Sequence, residues 1–188
     1  MSENKAYTIK DNKKLTVINM FAGPGVGKSI TAHFLTGALA CEGFNVEYVP
    51  EYAKDLTWGK QYSLLVEQGF ILAHQYEAVR KLVGHDIDFA VLDTSILLGL
   101  MYMPPWYPAS FKPFLMDMYN SYDNINIYLQ RNPKIPYVET GRNQTYEEAL
   151  QKDKEVLEFL NHEKIRYDVV MAGDDAVLKI LDIIHMML

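Results

Sequence analysis

Between the apolar run Leu15–Met20 and a helical pattern lies the stretch "FAGPGVGKSI", Phe21–Ile30. Glycines at 23, 25 and 27 allow a tight backbone path whose N–H groups turn toward an anion. The helix that follows adds its N-terminal dipole to the same point. Lys28 has the reach to meet β- and γ-phosphates, and the Ser29 hydroxyl suits Mg²⁺. Ala22 stands where the pattern G-x-x-x-x-G-K-[ST] has its first glycine, a place that needs only a small residue. The run Gly23, Pro24, Gly25, Val26, Gly27, Lys28, Ser29, Ile30 is therefore read as a cradle for the phosphates of ATP.

Three further groups of residues suit the handling of a bound phosphate. Asp93 closes the apolar run "DFAVLD" and is the expected second holder of Mg²⁺. Thr94-Ser95 follow it, where motor ATPases carry a second acid, and no Asn-Lys-x-Asp guanine motif is present. Work driven by hydrolysis is thus disfavoured. Glu51, in "YVPEYAKD", can take the proton of an attacking hydroxyl, and Asp55 is the competing base. Arg131 and Arg142 flank "NPKIPYVETG" and are expected to clamp the transferring phosphoryl group from a hinged lid over 131–145. On the acceptor side stand Tyr52, Asp55, Trp58 and Trp106, the tryptophans as stacking surfaces for a base. Each residue also has a plainer reading: Glu51 as a partner of Lys54, the tryptophans as irregular core.

Positioning these groups requires a particular order of elements. Strands are predicted over Lys14–Phe21, Asn45–Pro50, Asp88–Asp93, Asn124–Gln130 and Tyr167–Ala172. Helices are predicted over Ser29–Ala40, Gln61–Val83, Phe111–Tyr122 and Thr145–Glu163, with a last one capped by Asp174 and running to Leu188. Thr145 and Glu148 have capping-box spacing. Apolar strands alternating with helices imply a five-stranded parallel sheet covered on both faces, a three-layer α/β fold. Ligands then sit beyond the carboxyl ends of the strands. All four constellations fall there.

The chain has 188 residues, is 49% hydrophobic and 22% charged, and suits a single domain, 1–188, with a polar extension over 1–13. No apolar run approaches the ~20 residues of a membrane span. The polar start lacks a signal-peptide pattern, so a cytoplasmic protein is expected. One cysteine, Cys41, excludes an internal disulfide, and the five histidines are too scattered for a zinc site. A net charge of −6 argues against a broad nucleic-acid-binding face, though not against a local grip. Association into a homodimer is left open by the sequence.

"AGPGVGKS", "VPEYAKD", "VLDTS" and "YLQRNPKIPYVETGR" together resemble the small phosphate-loop kinases grouped with AAA-type ATPases. Relatives of that family include the nicotinamide-riboside kinase domain of bacterial NAD regulators. The resemblance runs from about Lys14 to Leu188, and Pro133, Ile135, Pro136, Gly141 and Arg142 match its most discriminating pattern. "VPEY" and "DTS" are also similar to deoxynucleoside kinases, whose corresponding motif is "DRS"; Thr94 here removes a substrate-side charge. Phage members are similar to kinases acting on the hydroxymethyl group of 5-hydroxymethyluracil in DNA. The resemblance implies a Mg-ATP-dependent kinase of nucleoside or nucleotide-kinase-like fold with a nucleoside-type acceptor. That modified base comes first, and a free nucleoside, nucleotide or nicotinamide riboside is the alternative. An AAA-like ATPase switch is the rival from another class.

Overall fold

The computed structural model describes residues 14–138 and 144–188. The polar extension 1–13, Gly141 and Arg142 lie outside the described residues. Five strands form one parallel sheet: β1 (Thr16–Phe21), β2 (Val46–Val49), β3 (Phe89–Leu92), β4 (Asp123–Gln130) and β5 (Asp168–Met171). Their order is β2-β3-β1-β4-β5, which puts β1 at the centre.

Alternation along β1 divides the core. Ile18 and Met20 face one side, against Ala32, Leu35 and Leu39 of α1 (Lys28–Cys41). Ile180, Leu181 and Ile184 of a C-terminal helix complete that layer. Val17 and Phe21 face the other side. There they meet Leu72 and Val79 of one helix, Leu115 and Tyr119 of a second and Val156 and Leu160 of a third. Burying each such aliphatic side chain is worth about 1.5–3 kcal/mol, so both layers hold the sheet.

Asn19, also on β1, is only 1% exposed. Its side-chain Nδ2 donates to Asn124 Oδ1 at 2.9 Å and to Asn126 Oδ1 at 3.2 Å, both on β4. Tyr119 Oη donates to the same Asn126 oxygen at 2.8 Å, and Asn126 Nδ2 donates to the Arg166 carbonyl at 2.9 Å. Asn19 and Asn126 are direct partners in the β1–β4 register.

The strands and most helices lie where the sequence places them, within one or two residues. Two regions differ. The single helix predicted over Gln61–Val83 is broken. A 3₁₀ turn, Tyr62–Leu64, precedes the shorter α3 (Gln68–Arg80), and α2 (Tyr52–Trp58) comes before both. Two interactions fix the break. Gln68 folds back to donate from Nε2 to the Leu65 carbonyl at 2.8 Å, and Gly69 N–H donates to Tyr107 Oη at 2.6 Å. Tertiary contacts thus override the apolar periodicity.

The second difference is the cap of α6 (Ala176–His185). Asp175, not Asp174, occupies the N-cap position and makes no side-chain cap bond. Its carboxylate instead meets Lys179 Nζ at 2.7 Å, one turn into the helix. By contrast α5 (Tyr146–His162) opens with a complete capping box. Thr145 Oγ1 accepts from Glu148 N–H, and Glu148 Oε2 accepts from Thr145 N–H at 2.7 Å. The remaining helix, α4, spans Phe111–Asn120. Among the described residues no helix is long and apolar enough to cross a membrane.

Candidate active site

The phosphate cradle connects β1 to α1 with glycines in the left-handed region. Gly25 has φ 76° and Gly27, the N-cap of α1, has φ 112°. A side chain at either would be strained, and a Cβ on Gly25 would collide with the ring of Tyr137. Val26 and Ala22 are buried, which anchors the loop from beneath, while Ile30 points to solvent. Lys28 Nζ donates to the Ala22 and Gly23 carbonyls at 3.0 and 3.1 Å, arching over the loop it belongs to.

A brace holds the outer flank of this loop. Arg131, just past β4, donates from Nε to Asp153 Oδ2 at 2.6 Å and from Nη2 to Oδ1 at 3.2 Å. The same Nη2 donates to the Pro24 carbonyl at 2.7 Å, and Asp153 Oδ1 accepts from Gly23 N–H at 3.1 Å. Both side chains are nearly buried, at 11% and 13% exposure. The Arg131 guanidinium also lies over the rings of Tyr137 and Tyr146, 5.6 and 6.0 Å from their centroids. The residue expected to reach a phosphoryl group thus fastens the loop to α5. Asp153 gave one sequence signal: a carboxylate within the buried stripe Ala149, Val156, Leu160.

Asp93 follows β3 and is 1% exposed. Its Oδ2 accepts from Tyr48 Oη at 3.1 Å, whereas Oδ1 is buried with no hydrogen-bond partner. Burial and the Asp93 charge push the Tyr48 phenol far above its ordinary pKa, so it remains a donor. An orphaned buried carboxylate oxygen is costly unless something binds it. That oxygen and the Ser29 hydroxyl are both hard donors, of the kind that Mg²⁺ prefers.

Glu51 is the N-cap residue of α2, at the corner after β2. Burial raises its carboxyl pKa above the ordinary value; Lys28 opposes this, Asp93 adds to it, and Thr94 and Lys54 oppose it. The Thr94 hydroxyl is buried beside this corner. Gln75 of α3 grips the corner from both sides. Its Nε2 donates to the Pro50 carbonyl and its Oε1 accepts from Tyr52 N–H, each at 3.1 Å.

Lys28 and Glu51 both line a cavity of about 250 Å³. Its far walls are apolar, built by residues such as Leu65, Ile71, Leu72, Ile96 and Leu98. Gln68 and Gln75 add buried amides to it. Those amides share the inward stripe Gln68, Leu72, Gln75, Val79 of α3, a polar break in an apolar helix face that a sequence does display. Tyr102, also on the lining, has its phenol pKa raised to about 12, chiefly by burial and next by Glu51. Tyr52, Asp55, Trp58 and Trp106 do not line this cavity. Tyr52 stacks on His74 with ring centroids 4.2 Å apart, and Trp106 leans on Tyr107 at 4.8 Å. Trp58 and Trp106 are 61% and 63% exposed.

Neither a family model nor a curated protein matches the sequence. Solved structures do match. The NadR protein in complex with NAD and AMP-PNP superposes with a TM-score of 0.66 at 15% identity over 92% of this chain. The chain spans about half, 49%, of that NadR chain. Deoxyadenosine kinase from M. mycoides with bound dATP gives a TM-score of 0.52 at 16% identity, covering 92% of this chain and 99% of that one. The fold is that of phosphate-loop NTPases. Identity this low speaks for the fold alone; the chemistry must come from the site.

Proposed function

We propose that the chain is a Mg-ATP-dependent kinase that transfers the γ-phosphoryl group to a hydroxyl of a nucleoside-type acceptor. The observation that carries this is the place of Glu51, facing the same cavity as the cradle lysine, Lys28. Loop amides and Lys28 hold the triphosphate. Ser29 and Asp93 would hold Mg²⁺, which when bound supplies charge neutralisation on the phosphates. Glu51 takes the proton from the acceptor hydroxyl as its oxygen bonds to the γ-phosphorus. The bond to the β–γ bridging oxygen breaks, and ADP leaves. A carboxyl with a raised pKa is suited to that base role near neutral pH. The cavity's apolar walls exclude water and favour the acceptor over hydrolysis.

For the acceptor, the reading places the hydroxymethyl group of 5-hydroxymethyluracil in DNA first. It rests on the motif resemblance and on a pocket of base size with amide edges. A base turned out of its duplex needs only a local pocket. A small free acceptor, a nucleoside, nucleotide or nicotinamide riboside, is the second reading. The net charge of −6 favours it, since a polyanion gains little from such a surface. In both readings the enzyme is cytoplasmic, and the lid expected over 131–145 includes residues outside the described ones.

The test is incubation with γ-labelled ATP, Mg²⁺ and a panel of acceptors that includes DNA bearing 5-hydroxymethyluracil. Label on that DNA alone supports the first acceptor, and label on a small molecule supports the second. Steady phosphate release with no labelled acceptor overturns the kinase reading in favour of an ATPase switch.

A further inference from the structure

Lys54 stands one turn into α2 from Glu51, on the lining of the cavity. Its Nζ donates to Ser29 Oγ at 3.1 Å. Ser29 is the residue assigned to the metal, and Asp93 with its orphaned Oδ1 completes that donor set. Lys54 is also close enough to act electrostatically on Glu51, which in turn feels Asp93. An ammonium and a divalent cation therefore claim one hydroxyl oxygen, near the Glu51 carboxylate. Like charges at such range exclude one another. A lysine side chain has four rotatable bonds with which to give way.

We propose that Lys54 is a built-in counter-ion of the metal site: its ammonium occupies the Ser29 position when no divalent cation is bound and yields that position to Mg²⁺. This rests on the nucleotide-site reading above, and it extends that reading to how the site handles charge. Without metal, the Lys54 ammonium beside Ser29 supplies positive charge that attracts a triphosphate. With metal, the same charge repels the ion that must replace it. The lysine consequently helps nucleotide bind in one condition and opposes it in the other. A contact that merely supports the fold cannot change sign in this way.

The experiment is titration calorimetry of the full chain with AMP-PNP, once in EDTA and once in excess Mg²⁺. Wild type is compared with Lys54→Met and Lys54→Arg, and the fold of each is checked by circular dichroism and melting temperature. Lys54→Met should lose about tenfold or more in affinity in EDTA while holding or gaining affinity in Mg²⁺; its metal dependence thus widens by at least about tenfold, a coupling near 1.4 kcal/mol. Lys54→Arg, which keeps the charge, should retain most of the EDTA affinity. Equal weakening of Lys54→Met in both conditions overturns the proposal, as does an unchanged ratio. If wild type binds AMP-PNP in neither condition, the nucleotide-site reading itself falls, and this proposal with it. If wild type binds and the ratio does not move, only the counter-ion role is lost.

Discussion

The two halves of the site are built by different means. On the phosphate side stands a backbone loop, its path set by glycine dihedrals and held from behind by Asp153 and Arg131. On the cavity side the lining is made of side chains from the corner after β2, from α2, α3 and the 3₁₀ segment Ile96–Tyr102, on apolar walls. The first half is one short stretch of sequence stiffened by one ion pair. The second is an assembly whose geometry exists only after the layers have packed. Phosphates are the same in every nucleotide, so a fixed backbone cradle suits them. An acceptor's shape is particular, and side chains can be exchanged to match it.

Substitutions on the two sides should therefore fail differently. The largest effect is expected at Glu51. Glu51→Gln should lower phosphoryl transfer by about 10²–10⁴-fold while leaving the calorimetric affinity for AMP-PNP intact. A fully active variant would move the base role to Asp55. The same substitution has a second signature. Burial holds the Glu51 pKa higher in the folded chain than in the unfolded one, so stability falls as pH rises through the folded value. Glu51→Gln should thus be more stable than wild type at pH 8, with the gap closing below about pH 4. Denaturant melts at the two pH values check the sign.

Next comes the brace. Asp153→Ala leaves the nearly buried Arg131 without its carboxylate and Gly23 N–H without an acceptor. A loss of about 3 kcal/mol in unfolding free energy is expected, together with weaker nucleotide binding. Replacing Arg131 by Met in the same chain should recover part of the stability without restoring affinity. Recovery of both would mean that the brace does not shape the loop.

Gln75→Leu acts on the other half. It unpairs the Pro50 carbonyl and Tyr52 N–H, at a cost of about 1–3 kcal/mol. Transfer should fall with affinity for AMP-PNP unchanged; loss of affinity instead would place Gln75 on the phosphate side. The smallest effect is expected away from both halves. Thr145→Ala removes the α5 capping box at about 1 kcal/mol, and neither function should change.

Legibility in the sequence follows the same division. The loop Gly23–Ser29 could be read because all its parts are contiguous and each residue type has a backbone reason. β3 could be read because its wholly apolar run suits few other settings. The break before α3 could not, since Tyr107, which takes the Gly69 N–H, lies 38 residues away in the chain. Trp58 and Trp106 have the chemistry of stacking surfaces, yet the packing leaves both outside the cavity. Gln68 and Gln75, amides in an otherwise apolar stripe, are an anomaly that the sequence does display. The segment after β4 points to Arg131, but the partner that holds it sits 22 residues away on α5. Spacing carries no information about that pairing.

The asparagines between β1 and β4 have one more consequence. The cradle hangs from the end of β1 and Arg131 from the end of β4, so one residue of slippage between these strands would misplace the whole brace. Greasy side chains alone tolerate sliding, because one aliphatic contact replaces another. Asn19 does not. Off its register with Asn126 it would strand several amide groups in the dry interior. Three amide side chains in the middle of the sheet thus act as an alignment key, rejecting misassembled chains long before any nucleotide arrives to test them.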